Sequence, residues 1–200
     1  MKYVTLAEPF EYEPERIKGS RFLAALAPAA DATAAAAFVQ TRRDLYPGAS
    51  HTCWAWRLGM DGAEHRSSDD GEPAGSAGRP ILNQIEGHEV TQVVAAVTRW
   101  FGGTKLGVGG LVRAYGGTAG MALDRAPLIE HEVTQALVLC FPYDCTSAVQ
   151  ACLHAQSLEP TESDYGAEVR LVLQVPVATI EKLRLELVER TAGRVRMDEA

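Results

Sequence analysis

The spacing of apolar residues changes several times along this chain, and each change marks a predicted element. Ile17 to Leu26 has the content of a strand. Asp31 then stands as N-cap of an alanine-rich helix from Ala32 to about Tyr46, which Pro47-Gly48 stops. Thr52 to Leu58, β-branched and aromatic, predicts a second strand. Gly59 to Gly78, polar and rich in Gly, Ser and Asp, predicts a long loop. Pro80 opens a short helix, Ile81 to Glu86, that ends at Gly87. Val90 to Phe101 predicts a central strand, because Val93, Val94, Ala95, Ala96 and Val97 do not alternate with polar residues. A tight loop, Gly102 to Gly110, and a helix, Leu111 to Asp124, follow.

From about residue 131 the pattern restarts. Glu132 to Cys140, Glu159 to Tyr165, Ala167 to Val175 and Arg194 to Met197 predict strands. Asp144 to Gln156 and Val177 to Thr191 predict helices, with Gly166 at a hairpin turn and Gly193 at a helix stop. The order is βαββαβ, that of a ferredoxin-like plait. A boundary between Pro127 and His131 thus divides an α/β (α+β) chain into residues 1–129 and 130–200.

Charge and composition narrow the function. Of the 200 residues, 46% are hydrophobic, as in a globular protein, and the formal net charge is −7. Whole-molecule electrostatics therefore oppose nucleic acid, and any phosphate binding must come from a local patch. Such a patch has a place: no acid lies between Glu89 and Asp124, a stretch that holds Arg99, Lys105 and Arg113. Cys53, Cys140, Cys145 and Cys152 have no paired zinc-type spacing and are expected to be reduced thiols. The N-terminus lacks a signal pattern, and no apolar run approaches the roughly 20 residues of a membrane span, so a cytoplasmic location is expected.

Of the 18 glycines, 12 fall between Asp69 and Gly120. They accompany an acidic run, Ser68-Asp69-Asp70-Gly71-Glu72-Pro73, and the run Arg99-Trp100-Phe101-Gly102-Gly103-Thr104-Lys105-Leu106-Gly107-Val108-Gly109-Gly110-Leu111-Val112-Arg113-Ala114-Tyr115-Gly116. Together with Lys18-Gly19-Ser20-Arg21-Phe22 and His51-Thr52-Cys53-Trp54-Ala55-Trp56-Arg57, these segments closely resemble the signature of the IMPACT family in its bacterial, YigZ-like branch. The main departure is Trp100, where Tyr is more usual. The resemblance implies that the first domain is similar to the second domain of ribosomal protein S5. It also implies that the ferredoxin-like second domain is similar to domains of elongation factors. Eukaryotic members are regulators of translation, so it further implies a translation-associated role.

The residues themselves leave two chemistries open. Gly102, Gly103, Gly107, Gly109 and Gly110 ahead of a helix form the arrangement that cradles anions, with Lys105 at the rim and Arg99, Arg113 and Arg21 nearby. Close strand–helix packing accounts for the same glycines equally well. Neither a dinucleotide fingerprint nor a P-loop is present, so neither NAD nor Walker-type ATP binding is expected. Asp69, Asp70 and Glu72 offer either oxygen ligands for Mg²⁺ or acceptors that brace the glycine-rich loop. Arg99, Trp100, Phe101 and Tyr115 mix cations with aromatics as RNA-binding surfaces do, although aromatics at a strand end are more often core. His51 is the one histidine inside a family-like segment. No nucleophile–base pair is recognisable.

These readings predict a non-enzymatic protein without a cofactor that binds RNA, the ribosome or a translation-associated partner. The alternatives are a Mg²⁺-dependent enzyme acting on a nucleotide or another phosphorylated small molecule, and a protein-interaction module.

Overall fold

The computed structural model describes residues 2–199. It divides into two compact units, Lys2–His131 and the chain from Glu132 onward. The elements are mixed α and β throughout, as expected for an α+β chain.

In the first unit, strand β1 (Lys2–Leu6) pairs with the late strand β7 (Leu128–Glu132). The main sheet comprises β2 (Phe10–Tyr12), β3 (Arg21–Pro28), β4 (His51–Leu58), β5 (Glu64–Ser68) and β6 (Val93–Trp100). Its order is β2-β3-β6-β4-β5, with every neighbouring pair antiparallel. Helix α1 (Ala32–Leu45) covers one face, where Ala35 and Val39 pack on Ala27, Leu58 and Val94. Helices α2 (Gly78–Gly87) and α3 (Val108–Leu123) cover the other. There Ile81, Leu82, Ile85, Leu111 and Tyr115 share a core with Phe22, Leu26, Cys53, Ala95 and Val97. Helices on both faces explain why β6 does not alternate: every residue from Val93 to Arg99 is buried. The predicted cap also forms, as the Asp31 carboxylate accepts a hydrogen bond from Ala34 N at 2.8 Å.

Several boundaries differ from expectation: the strand expected over Ile17 to Leu26 runs from Arg21 to Pro28, the helix expected over Ile81 to Glu86 starts at Gly78, the strand expected from Val90 starts at Val93, and the last helix starts at Ile180 rather than Val177. Two further differences bear on the site. The predicted loop from Gly59 to Gly78 contains β5, a strand of sequence Glu-His-Arg-Ser-Ser. It lies at the sheet edge with no buried residue, so no apolar alternation marks it. Helix α3 starts at Val108, three residues early, with Gly109 and Gly110 in its first turn. The glycine-rich loop is correspondingly shorter, spanning 101–107.

The second unit carries β8 (Thr134–Phe141), α4 (Thr146–Ala155), β9 (Pro160–Tyr165), β10 (Val169–Pro176), α5 (Ile180–Thr191) and β11 (Arg196–Glu199). Its antiparallel sheet has the order β11-β8-β10-β9, the arrangement of a βαββαβ plait. Val169, Leu171, Leu173 and Val175 of β10 alternate inward against Val149, Leu153, Leu183 and Leu187 of the helices.

Strand register decides where the family-like segments meet. Arg21 lies opposite Trp100, Phe22 and His51 flank Arg99, and Trp54 lies opposite Ser68. The starts of β3 and β4 and the ends of β5 and β6 therefore share one end of the sheet. The turn at 17–20, the acidic run and the glycine-rich loop are gathered there.

Candidate functional site

The acidic run is a brace, because its three carboxylates point to three different places. Asp69 caps the entry to α2: Oδ1 accepts from Ala77 N at 2.9 Å and Gly78 N at 2.8 Å, and Oδ2 accepts from Gly75 N at 2.8 Å. Partial burial alone raises its pKa, but the three backbone donors outweigh that and hold the carboxyl below its ordinary range. Asp70, in the left-handed region at φ 46, accepts from Thr52 N at 2.7 Å and pairs with Arg43. His51 Nδ1 lies 2.7 Å from the Asp70 carbonyl oxygen, so this histidine secures the turn.

Glu72 reaches into the core. Its Oε1 accepts from Arg99 Nη1 at 2.6 Å and from the Tyr115 hydroxyl at 2.7 Å. The side chains of Glu72 and Arg99 are only 5% and 6% exposed, so this ion pair is almost wholly buried. Arg99 Nη2 also donates to Ser20 Oγ at 3.3 Å, and its Cζ lies 5.6 Å from both the Phe22 and Phe101 rings. Burial, and secondarily the neighbouring Cys53 and Glu72, raise the Tyr115 hydroxyl pKa, so it stays a donor. Burial likewise pushes the Cys53 thiol up to about 12, and its sulfur donates to the Asp69 carbonyl oxygen at 3.0 Å. All four cysteines are free, and Cys53 has no thiolate character at neutral pH.

Several sequence-predicted roles change accordingly. Asp69, Asp70 and Glu72 do not converge, and among the described residues no group of three His, Cys, Asp or Glu is arranged to hold a metal ion. Arg99, expected at an anion site, is an internal counter-ion because it follows Val97 on the core-facing side of β6. Arg21 is also occupied: it pairs with Glu13 through two 2.8 Å bonds and stacks 4.2 Å above the Trp100 ring. Gly102 is needed for packing, since a Cβ there would stand 1.9 Å from the Gly19 carbonyl carbon.

The loop that follows is different. Its start is fixed, with Phe101 N donating to Ser50 Oγ at 3.1 Å and Gly102 N to Ser20 Oγ at 3.2 Å. Leu106 packs against the core. Between these anchors Gly103 and Lys105 are exposed. Gly107, at φ 72, turns the chain into α3, and no side chain caps that helix. The first intrahelical bond is Leu111 N to Gly107 O at 2.9 Å, so the N–H groups of Val108, Gly109 and Gly110 have no intrahelical partner. No acid stands in this first turn. The Arg113 guanidinium folds back along the same turn, 3.8 Å from where a Cβ on Gly109 would be. Phe101, which its strand-end position predicts as core, is 51% exposed.

Sequence reasoning left Lys18 out of the site. It occupies a two-residue turn in which Ile17 and Ser20 exchange backbone hydrogen bonds of 2.9 and 3.0 Å. Lys18 and Gly19 both have positive φ, at 47° and 84°. Gly19 abuts Gly102, so the exposed Lys18 stands beside the loop. A Lys-Gly pair between strand-forming residues was the available signal. Among the described residues Lys18, Lys105 and Arg113 have no ion-pair partner, which gives this end of the sheet three free cations from three elements.

Among the described residues no helix is long and apolar enough to cross a membrane. Residues 18–123 match the Impact N-terminal domain, and residues 139–194 match a domain of unknown function, DUF1949. The chain is 37% identical over 185 residues to IMPACT family member YigZ of Escherichia coli (strain K12), covering 92% of this chain and 91% of that protein. It is 44% identical over 160 residues to an IMPACT family member of Thermus thermophilus, covering 80% and 86%. A solved structure described as that of an hypothetical protein superposes with a TM-score of 0.70 at 35% identity, covering 100% of this chain and 97% of the other. The match spans the braced acidic turn, the glycine-rich loop and α3, and with those relatives it places the chain in the IMPACT family.

Proposed function

We propose that the loop at 101–107, the turn at 17–20 and the first turn of α3 bind the phosphate backbone of single-stranded RNA, free or within the ribosome. The protein then acts as a non-enzymatic, translation-associated binding protein. The observation that carries this reading is the set of three unpaired cations, Lys18, Lys105 and Arg113, beside an uncapped helix N-terminus and the exposed Phe101. Cations supply phosphate contacts without sequence preference, and an exposed ring offers a base a stacking face. The net charge of −7 makes this local set decisive, because the rest of the molecule repels a polyanion. A Mg²⁺-dependent enzyme acting on a phosphorylated small molecule is less well supported: its expected carboxylates are bonded to backbone, Arg43, Thr52, Arg99 and Tyr115.

Salt-dependent binding tests the reading. Wild-type protein is expected to bind a labelled single-stranded RNA or ribosomes at about 50 mM salt, with affinity falling steeply as salt rises. Lys105→Ala combined with Arg113→Ala removes two contacts and flattens the log–log salt slope by roughly 1.4 on single-stranded RNA. Absence of binding to either target at about 50 mM salt rules the proposal out.

A further inference from the structure

A pocket of about 350 Å³ opens within the proposed RNA face, lined by Glu72, Arg99, Phe101, Lys105, Val108 and Leu111. Glu72 is the unusual wall. Its Oε1 already accepts from both Arg99 and Tyr115. Its Oε2 has no hydrogen-bond partner among the described residues. Oε2 is not among the unpartnered atoms sealed from solvent, and Glu72 lines the pocket. A carboxylate oxygen held in a largely apolar recess, on a side chain 5% exposed, is left without a donor. A ligand that brings N–H groups to it is rewarded, and one that brings carbonyls is rejected.

The rim defines which donor fits. Lys105 and the N-terminus of α3 oppose a cationic ligand and favour an anionic group at the mouth. The exposed Phe101 favours a flat group between mouth and floor. A nucleobase carried on a phosphate backbone combines a neutral donor edge, a flat body and a negative tail. The four bases differ at that edge. Guanine presents two adjacent, nearly parallel donors, N1–H and N2–H₂, that can share one acceptor oxygen. Adenine and cytosine each present one amino group beside an acceptor nitrogen. Uracil presents a single N–H between two carbonyls, both facing the carboxylate.

We infer that this pocket takes a guanine base of single-stranded RNA, with Glu72 Oε2 accepting from its N1–H and N2–H₂ edge. The inference rests on the RNA-binding reading above and adds a base preference to it.

Fluorescence anisotropy with labelled seven-nucleotide RNAs separates the two. One RNA is all uridine, and the others carry a single central guanine, adenine or cytosine. The central guanine is expected to tighten binding about tenfold over all-uridine, the scale of one good base contact, with adenine and cytosine between. Glu72→Gln keeps an oxygen for Arg99 and Tyr115 but turns an N–H₂ into the pocket, so the guanine preference disappears or inverts toward uracil. Val108→Trp, at a position 57% exposed, fills the pocket mouth without removing the ion pair. It is expected to abolish the guanine preference, read as the ratio of guanine to all-uridine affinity within that variant. Equal affinity of the wild type for all four RNAs overturns the guanine pocket and leaves the RNA reading standing. Failure to bind any of them overturns both. An unchanged guanine preference in the folded Val108→Trp protein places the base elsewhere and overturns the pocket.

Discussion

The acidic turn at 69–77 and the glycine-rich loop at 101–107 lie at the same end of one sheet, and both combine glycine with charge. The turn uses its charges internally: Asp69 makes three backbone bonds, Asp70 holds Thr52 N and Arg43, and Glu72 holds Arg99 and Tyr115. The loop is pinned at its start by Ser20 and Ser50 and leaves Lys105 unpaired among the described residues. Residue types alone do not tell a brace from a binding surface. The number of internal partners does, because a carboxylate oxygen already bonded to the protein has little left for a ligand, whereas an exposed unpaired cation has lost nothing by waiting; of the six carboxylate oxygens in the turn only Glu72 Oε2 lacks such a bond among the described residues.

The contrast is broken most severely at Glu72. Glu72→Ala leaves the Arg99 guanidinium buried without its counter-ion and the Tyr115 hydroxyl without its acceptor, and the expected loss is about 3–5 kcal/mol. Urea unfolding measures it. A loss below about 1 kcal/mol, the scale of an exposed pair, would show that this ion pair is not the brace described here.

Asp69 gives a smaller, pH-dependent effect. Asp69→Asn keeps one acceptor oxygen where the carboxylate has two, so at least one of the three backbone donors loses its partner. The expected cost is about 1–3 kcal/mol near pH 7. The folded pKa of Asp69 is depressed, so its stabilisation is complete above the unfolded carboxyl value of about 4 and is lost as pH falls through the folded value. The gap between wild type and Asp69→Asn in urea midpoint should therefore narrow from pH 7 toward pH 3. A gap that widens on acidification contradicts a depressed pKa.

These partners explain what was legible in advance. The unalternating run Val93 to Val97 announced a strand covered on both faces, and the βαββαβ order of the second unit followed from local patterns. The partners of the carboxylates were not legible, since Glu72 lies 27 residues from Arg99 and 43 from Tyr115. Arg99 looked like a surface cation because it sits in a run of aromatics and glycines. Its parity with Ala95 and Val97 turns it inward, and that parity carries meaning only once helices are known to cover that face. Phe101 shares the parity of Arg99, but β6 ends at Trp100 and the chain leaves the sheet before parity applies. The edge strand β5 was hidden for the opposite reason: it buries nothing, so its sequence carries no apolar period.

The smallest expected effect on stability is at the loop. Lys105→Ala with Arg113→Ala removes two side chains that are exposed and have no ion pair among the described residues, so nothing internal is left unpaired. Stability should shift by no more than about 0.5 kcal/mol per site, as for surface substitutions away from caps, cores and ion-pair networks. Arg113→Ala even gains some intrinsic helix propensity within α3. The same double variant carries the largest expected change in salt-dependent RNA binding, so urea unfolding and anisotropy on one protein set the two regions apart. A double variant destabilised by more than about 1 kcal/mol would mean that the loop, like the turn, is an internal brace, because exposed cations without partners have no route to a loss of that size.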